Sequence, residues 1–171
     1  GDASLAHLHT ELAQREIASI IRSDLTLVIS KKEMALLTES YGVPSVQLQY
    51  HPLVVGPSIS STPSFEQRSH FIHIGNFRHA PNWDAVLQLK QHLWPSMKKA
   101  LPHAELHIYG AYPPKKATQL HNEKQGFLVK GWASDVESVM MNAKALIAPL
   151  RFGAGIKGKL LDAMRCGTPS I

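Results

Sequence analysis

Pro149-Leu150-Arg151-Phe152-Gly153-Ala154-Gly155-Ile156-Lys157-Gly158-Lys159-Leu160-Leu161-Asp162-Ala163-Met164 is the stretch on which the reading of this chain turns. The apolar residues 145–148 before it have the character of a short buried strand that stops at Pro149. A glycine-rich turn follows. Beyond it, Ile156, Leu160 and Met164 fall four apart, the spacing of one helical face. A strand, a glycine turn and a helix start together suit an anion. The first N–H groups of a helix lack internal partners, and glycine lets a ligand reach the main chain.

Charge sharpens this reading. Lysine is disfavoured in a first helical turn, where the macrodipole is positive. Lys157 and Lys159 nevertheless stand there with Arg151 just upstream, and no acidic residue arrives before Asp162. A bound anion resolves the conflict. The plainer alternative is that the lysines are solvated, with Lys159–Asp162 or Asp162–Arg165 paired at i,i+3.

The 171 residues are 44% hydrophobic, enough for one sizeable core and part of another. The net charge of +5 suits nucleotide phosphates, acidic membrane surfaces or nucleic acid. No basic tract is interleaved with aromatic residues, so nucleic acid is not expected as a partner. Cys166 is the sole cysteine, which excludes an internal disulfide and fits a reducing compartment. No apolar run approaches the roughly 20 residues of a membrane span, and no signal peptide is evident. The chain opens inside a helical pattern and closes on Thr168-Pro169-Ser170-Ile171, which reads as a strand just starting. A piece of a larger protein is expected.

Taken in order, residues 4–22 predict an amphipathic helix through Leu5, Leu8, Leu12, Ala13, Ile17 and Ile20. A strand is expected over 25–29. Ser30-Lys31-Lys32-Glu33 has capping-box spacing and opens a helix through Met34, Leu37 and Tyr41 that stops at Gly42. Residues 46–50 alternate as a strand. Residues 51–69, with Pro52, Pro57, Pro63 and four serines before Ser69, have linker composition and mark a domain boundary.

The rhythm is regular after that. Strands are expected at 71–74, 105–109, 127–129 and 145–148. Between them come a helix after Pro81 that Pro95 restarts, a helical connection over 114–124, and a helix opened by Ser134-Asp135-Val136-Glu137. Alternation at this spacing predicts an α/β fold: a Rossmann-like, doubly wound parallel sheet with ligands beyond the carboxyl ends of its strands. Gly75, Gly131 and Gly153 all lie at such ends.

Rival motifs fit less well. Gly153 to Lys159 has P-loop spacing, but Leu160 replaces the Ser or Thr that holds Mg²⁺. Gly75-Asn76-Phe77-Arg78 lacks the dinucleotide fingerprint. The histidine pairs His70/His73 and His7/His9 have no carboxylate or cysteine partner and predict no metal site. Trp83 and Trp94 are read as core, and Asp84 as a dipole-favourable residue of a first helical turn.

The stretch from Ala148 to Pro169 resembles the signature of the group 1 glycosyltransferases, glycosyltransferase family four, of GT-B fold. His73-Ile74-Gly75-Asn76-Phe77-Arg78-His79-Ala80-Pro81-Asn82-Trp83-Asp84-Ala85 resembles the opening of their donor-binding domain. Gly131-Trp132-Ala133-Ser134-Asp135-Val136 is similar to their turn after the third strand. Asp24-Leu25-Thr26-Leu27-Val28-Ile29-Ser30 and Tyr41-Gly42-Val43 resemble, less specifically, the end of the N-terminal domain. The resemblance implies three parts: residues 1–56 as the end of an acceptor-side Rossmann-like domain, 57–69 as linker, and 70–171 as an incomplete nucleotide-sugar-binding domain.

It also implies roles. Gly153, Gly155 and Ile156 turn backbone N–H groups to the donor diphosphate, and Arg78, Arg151 and Lys157 supply positive charge as the leaving group gains negative charge. Asp162 stands where the family has the second of two paired glutamates, on the ribose. Gly131 and Trp132 lie near the base. The implied activity is retaining transfer of a hexose from a nucleotide-sugar, UDP- or GDP-linked, to a glycan or lipid-linked acceptor in bacterial-type polysaccharide biosynthesis. Neither cofactor nor metal is expected. Location is expected in the cytoplasm, with peripheral attachment at the inner face of the membrane, and a homodimer through an open sheet edge is a further expectation.

Two departures stand out. Ala154 occupies the place of the first glutamate, which contacts the donor sugar in many members, and Asp162 is a methylene shorter than glutamate. With most of the acceptor domain outside it, this chain alone is not expected to catalyse. The reading that competes is a non-catalytic Rossmann-like module for a phosphorylated small molecule. Nucleic-acid binding through the basic surface would instead show steep salt dependence with no need of the glycine turn.

Overall fold

The computed structural model describes residues 10–153 and 155–171. The expected helix start at Ser4 with Leu5 and Leu8, the His7/His9 pair and Ala154 lie outside them. The chain divides into two compact units, 1–54 and 55–171.

In the first unit, α1 (Glu11–Ile21) and α2 (Lys31–Glu39) accompany two parallel strands, β1 (Thr26–Val28) and β2 (Leu48–Tyr50). The expected cap is present: Ser30 Oγ accepts the Glu33 N–H at 3.3 Å. Gly42 takes φ +66°, which closes the turn after α2. The strand expected over 46–50 is shorter. Pro44 starts a 3₁₀ turn, Ser45–Gln47, whose Gln47 N–H bonds the Pro44 carbonyl, and Val46 is left 84% exposed.

The second unit holds a parallel sheet of β3 (His70–Ile74), β4 (Leu106–Tyr109), β5 (Phe127–Gly131) and β6 (Ala143–Leu146), in the order β5-β4-β3-β6. Ser170 bridges Leu146 in parallel, so the chain returns beside β6 at its close. One face packs Leu106, Ile108 and Phe127 under Leu89 and Trp94. The other packs Ile72 and Leu146 under Met140, Ala163 and Cys166. Cover on both faces explains why the strands lack a clean polar alternation.

Helices α3 (Ala80–Gln88) and α4 (Trp94–Ala100) are joined by a π-helical stretch, Leu89–Leu93, rather than by a break. Pro95 brings no N–H to the preceding turn, and the backbone widens so that Trp94 N–H reaches the Leu89 carbonyl. The expected helix over 114–124 shrinks to α5 (Lys115–Thr118), because Asn122 and Phe127 exchange backbone hydrogen bonds and pull the chain into an antiparallel bridge.

Helix α6 (Val136–Met141) is capped by Asp135, whose Oδ1 accepts the Ser138 N–H at 3.0 Å, and not by Ser134. The last strand begins two residues earlier than its apolar run, because Ser69 N–H binds the Asn142 carbonyl and aligns the entry to β6 with β3. Helix α7 (Gly158–Arg165) turns Ala163 and Cys166 to the core. Met164, expected to share a face with Leu160, is 69% exposed. No helix among the described residues is long and apolar enough to cross a membrane.

One buried cation staples the unit. Arg68 is 5% exposed and donates to the carbonyls of Pro63, Ala143 and Gly167 and to Thr168 Oγ1. A guanidinium can be buried when its donors find acceptors in this way.

Candidate functional site

From β3 the chain builds outward through β4 to β5, then returns to lay β6 on the other side of β3. The order reverses between β3 and β6. Loops leaving neighbouring strands in opposite directions open a crevice at their carboxyl ends. Residues 75–79 form one wall of this crevice. Residues 147–153 and 155–157, with the start of α7, form the other.

The first wall depends on the absence of a side chain. A Cβ on Gly75 would lie 2.5 Å from Asn82 Cγ, so only glycine lets the Asn82 amide sit against the main chain. Asn82 Nδ2 donates to the Asn76 carbonyl at 3.1 Å, and Asn76 Oδ1 accepts the Arg78 N–H at 2.9 Å. The Arg78 guanidinium lies 3.9 Å from the centroid of the Tyr112 ring, a cation–π contact. Tyr112 adopts φ +56°, the left-handed conformation that other non-glycine described residues avoid.

In the second wall, Gly153 and Gly155 take φ +107° and +78°. Lys157 is the residue at the cap position of α7, and a lysine has no acceptor to offer the helix. Its ammonium instead curls over the turn, donating to the carbonyls of Gly153 at 2.9 Å and Gly155 at 3.2 Å. The Ile156 side chain is 44% exposed. Arg151 forms a two-pronged ion pair with Asp84 of α3. Asp84 is therefore more than a dipole-favourable residue, and Arg151 is tied to α3.

Beneath both walls lie two basic groups. His73 is 1% exposed. Its Nδ1–H donates to the Ile147 carbonyl at 2.8 Å, and its Nε2 has no hydrogen-bond partner among the described residues. Burial, with Lys159 adding to it, presses His73 down to about 4, so the ring is neutral. The half-buried Lys159 donates to Asn82 Oδ1 at 2.7 Å. Burial first and Lys157 second bring it down to about 8. Neither i,i+3 pair considered for α7 accounts for its charges: Lys159 bonds Asn82, and Arg165 bonds Glu137.

Asp162 lines a neighbouring cavity of about 310 Å³ with Ser134, Asp135, Val136, Glu137, Arg165 and Cys166, at the start of α6. Gly131 and Trp132 stand at the end of β5, two strands from β3, and Trp132 is 73% exposed. The structure places Arg151, Gly153, Gly155, Ile156 and Lys157 together between β6 and α7, while Arg78, on the loop after β3, turns its guanidinium onto Tyr112 beyond β4. Asp162 lies beside a separate hollow whose lining begins at Ser134, two residues after Trp132. Asn76, Asn82, His73 and Tyr112 were not anticipated as site residues. The close approach of Gly75 to a side chain beyond the end of β3 is a signal that sequence does carry, as a glycine at a strand end.

Residues 68–171 match the family model described as glycosyl transferases group 1. Among solved structures, the chain is similar to a point mutant of S. aureus TarM in complex with fondaparinux, alpha-GlcNAc-glycerol and UDP (TM-score 0.68, 14% identity). It is also similar to the pneumococcal O-GlcNAc transferase GtfA in complex with UDP and GlcNAc (TM-score 0.60, 18% identity). Each alignment covers 94% of this chain and 32% of the other, so the chain spans about a third of their length. No curated protein sequence matches it significantly. The likeness establishes the fold as the Rossmann-like α/β architecture of GT-B enzymes.

Proposed function

The chain belongs to the group 1 glycosyl transferases, and on that premise we propose that its crevice holds the diphosphate of a nucleotide-sugar donor. The observation that carries this reading is the turn at the strand-order switch, where two left-handed glycines lead into a helix start that carries Lys157. Such a place offers backbone N–H groups and fixed positive charge to one ligand. As the sugar–oxygen bond breaks, negative charge grows on the leaving diphosphate, and preset cations lower that barrier. Side chains then supply the neutralising charge, with no metal or cofactor. Arg151 contributes once released from Asp84, and Lys157 once its ammonium leaves the Gly153 and Gly155 carbonyls.

The finer assignments belong to the same reading. Asp162 accepts from the ribose, and the backbone near Gly131 and Trp132 faces the base. Transfer proceeds with retention, as in family four, to a glycan or lipid-linked acceptor. Residues 1–56 supply the end of the acceptor-side domain, 57–69 the linker and 70–171 the donor domain. The enzyme works in the cytoplasm at the inner membrane surface, and an open sheet edge serves dimerisation. Both relatives' complexes contain UDP, which makes UDP the first nucleotide to try.

A thermal-shift panel of UDP, GDP and ADP on the wild type and Lys157→Ala tests the reading. At about 100 times its dissociation constant a ligand adds roughly 2.7 kcal/mol and raises the midpoint by several degrees. A shift for one base, lost in Lys157→Ala, is the expected result. A shift for sugar phosphates regardless of base would favour the non-catalytic module instead.

A further inference from the structure

The two walls of the crevice are joined through the protein interior. Lys159 enters from the first turn of α7, and its Nζ meets Asn82 Oδ1, 77 residues away in sequence, at 2.7 Å. An ammonium can only donate, so it fixes which end of the Asn82 amide faces it. That leaves Asn82 Nδ2 for the Asn76 carbonyl at 3.1 Å, and Asn76 in turn receives the Arg78 N–H at 2.9 Å. Asn82 is 9% exposed, and the bare main chain of Gly75 closes over it.

A lysine is a costly way to make this bond. Its ammonium leaves bulk water without a carboxylate in return, and that costs free energy. The groups that face it are Asn82 from α3, His73 from β3, and Lys157 from its own turn. The histidine is neutral and the second lysine repels. A methionine would fill the same path without the penalty. The ammonium is therefore unfavourable for packing, and its contribution lies in what it orients.

We propose that Lys159 is a positioning residue: by setting the Asn82 amide it holds Asn76, and through Asn76 it fixes the backbone at Arg78. The consequence for catalysis rests on the donor-site reading above, because it needs Arg78 at the diphosphate. The relay itself is a property of the protein without ligand.

Hydrogen exchange across residues 75–78 tests it in the wild type, Lys159→Met and Lys159→Arg. In Lys159→Met these amides exchange about tenfold faster while the strands of the sheet keep their protection, because the loss is confined to the orphaned Asn82 Oδ1 and removal of a buried charge offsets its cost. Lys159→Arg keeps a cationic donor and restores the protection. UDP affinity falls about tenfold in Lys159→Met and recovers in Lys159→Arg. Unchanged exchange at 75–78 in Lys159→Met overturns the proposal, and so does a loss of midpoint with loosening spread evenly over the sheet. Absence of UDP binding in all three proteins refutes the donor reading, while the exchange data still decide the relay.

Discussion

Arg151 and Asp84 clasp one another across the crevice mouth, with Nε 2.9 Å from Oδ2 and the terminal nitrogen on Oδ1. The guanidinium holds the Asp84 carboxyl below its usual range, and the carboxylate pushes Arg151 up. A guanidinium bound along its Nε–Nη2 edge has only its remaining N–H groups to offer a phosphate until that pair opens. Arg151→Ala should therefore weaken UDP binding by about threefold or less, against about tenfold or more for Lys157→Ala. Asp84→Asn should tighten it. Isothermal titration of the three variants checks the ranking.

Gly153 makes a prediction about backbone. At φ +107° an alanine is strained, and its Cβ would also meet Pro81 Cγ at 3.0 Å. Gly153→Ala should lose about 1–2 kcal/mol of stability in urea unfolding and most of its diphosphate affinity.

Acid should destabilise the protein through His73. Its ring titrates near 6.5 when unfolded and at about 4 when folded. Between those values the unfolded chain binds more protons, so stability falls as pH drops through the window. The loss is of the order of 3 kcal/mol by pH 4. Urea midpoints at pH 7.5, 6 and 5 should fall in that order, with a shallower slope in His73→Leu. His70, also held at about 4 by burial with His107 beside it, adds a smaller effect of the same sign.

Asp162 predicts a sugar preference. If its carboxylate accepts from ribose hydroxyls, UDP should bind about tenfold more tightly than its 2′-deoxy analogue. Asp162→Ala should erase the difference and leave the phosphate contribution intact. Competition titrations measure both.

The strand–helix rhythm from β3 onward was legible because β3, β4 and β5 close on Gly75, Gly110 and Gly131 and α6 opens on the Asp135 cap. The glycine turn before α7 stood out because positive charge sits where a helix start opposes it. Other features needed three dimensions. The apolar run 145–148 misplaced β6 by two residues, since register is set by pairing with β3 and not by hydrophobicity. Pro95 was visible, but the choice between a break and a widened turn depends on the packing of Leu89 and Trp94 on the sheet. The Lys159–Asn82 bond spans 77 residues, and nothing local in either segment points to the other.

The central claim is that the crevice between β3 and β6 binds the second phosphate of a nucleotide. Calorimetric titration of UDP against UMP, on the wild type and Lys157→Ala, tests it most directly. Binding of UDP at least about tenfold tighter than UMP, with that advantage lost in Lys157→Ala, is the predicted result. Equal affinities for UDP and UMP, or an advantage that survives Lys157→Ala, would contradict it.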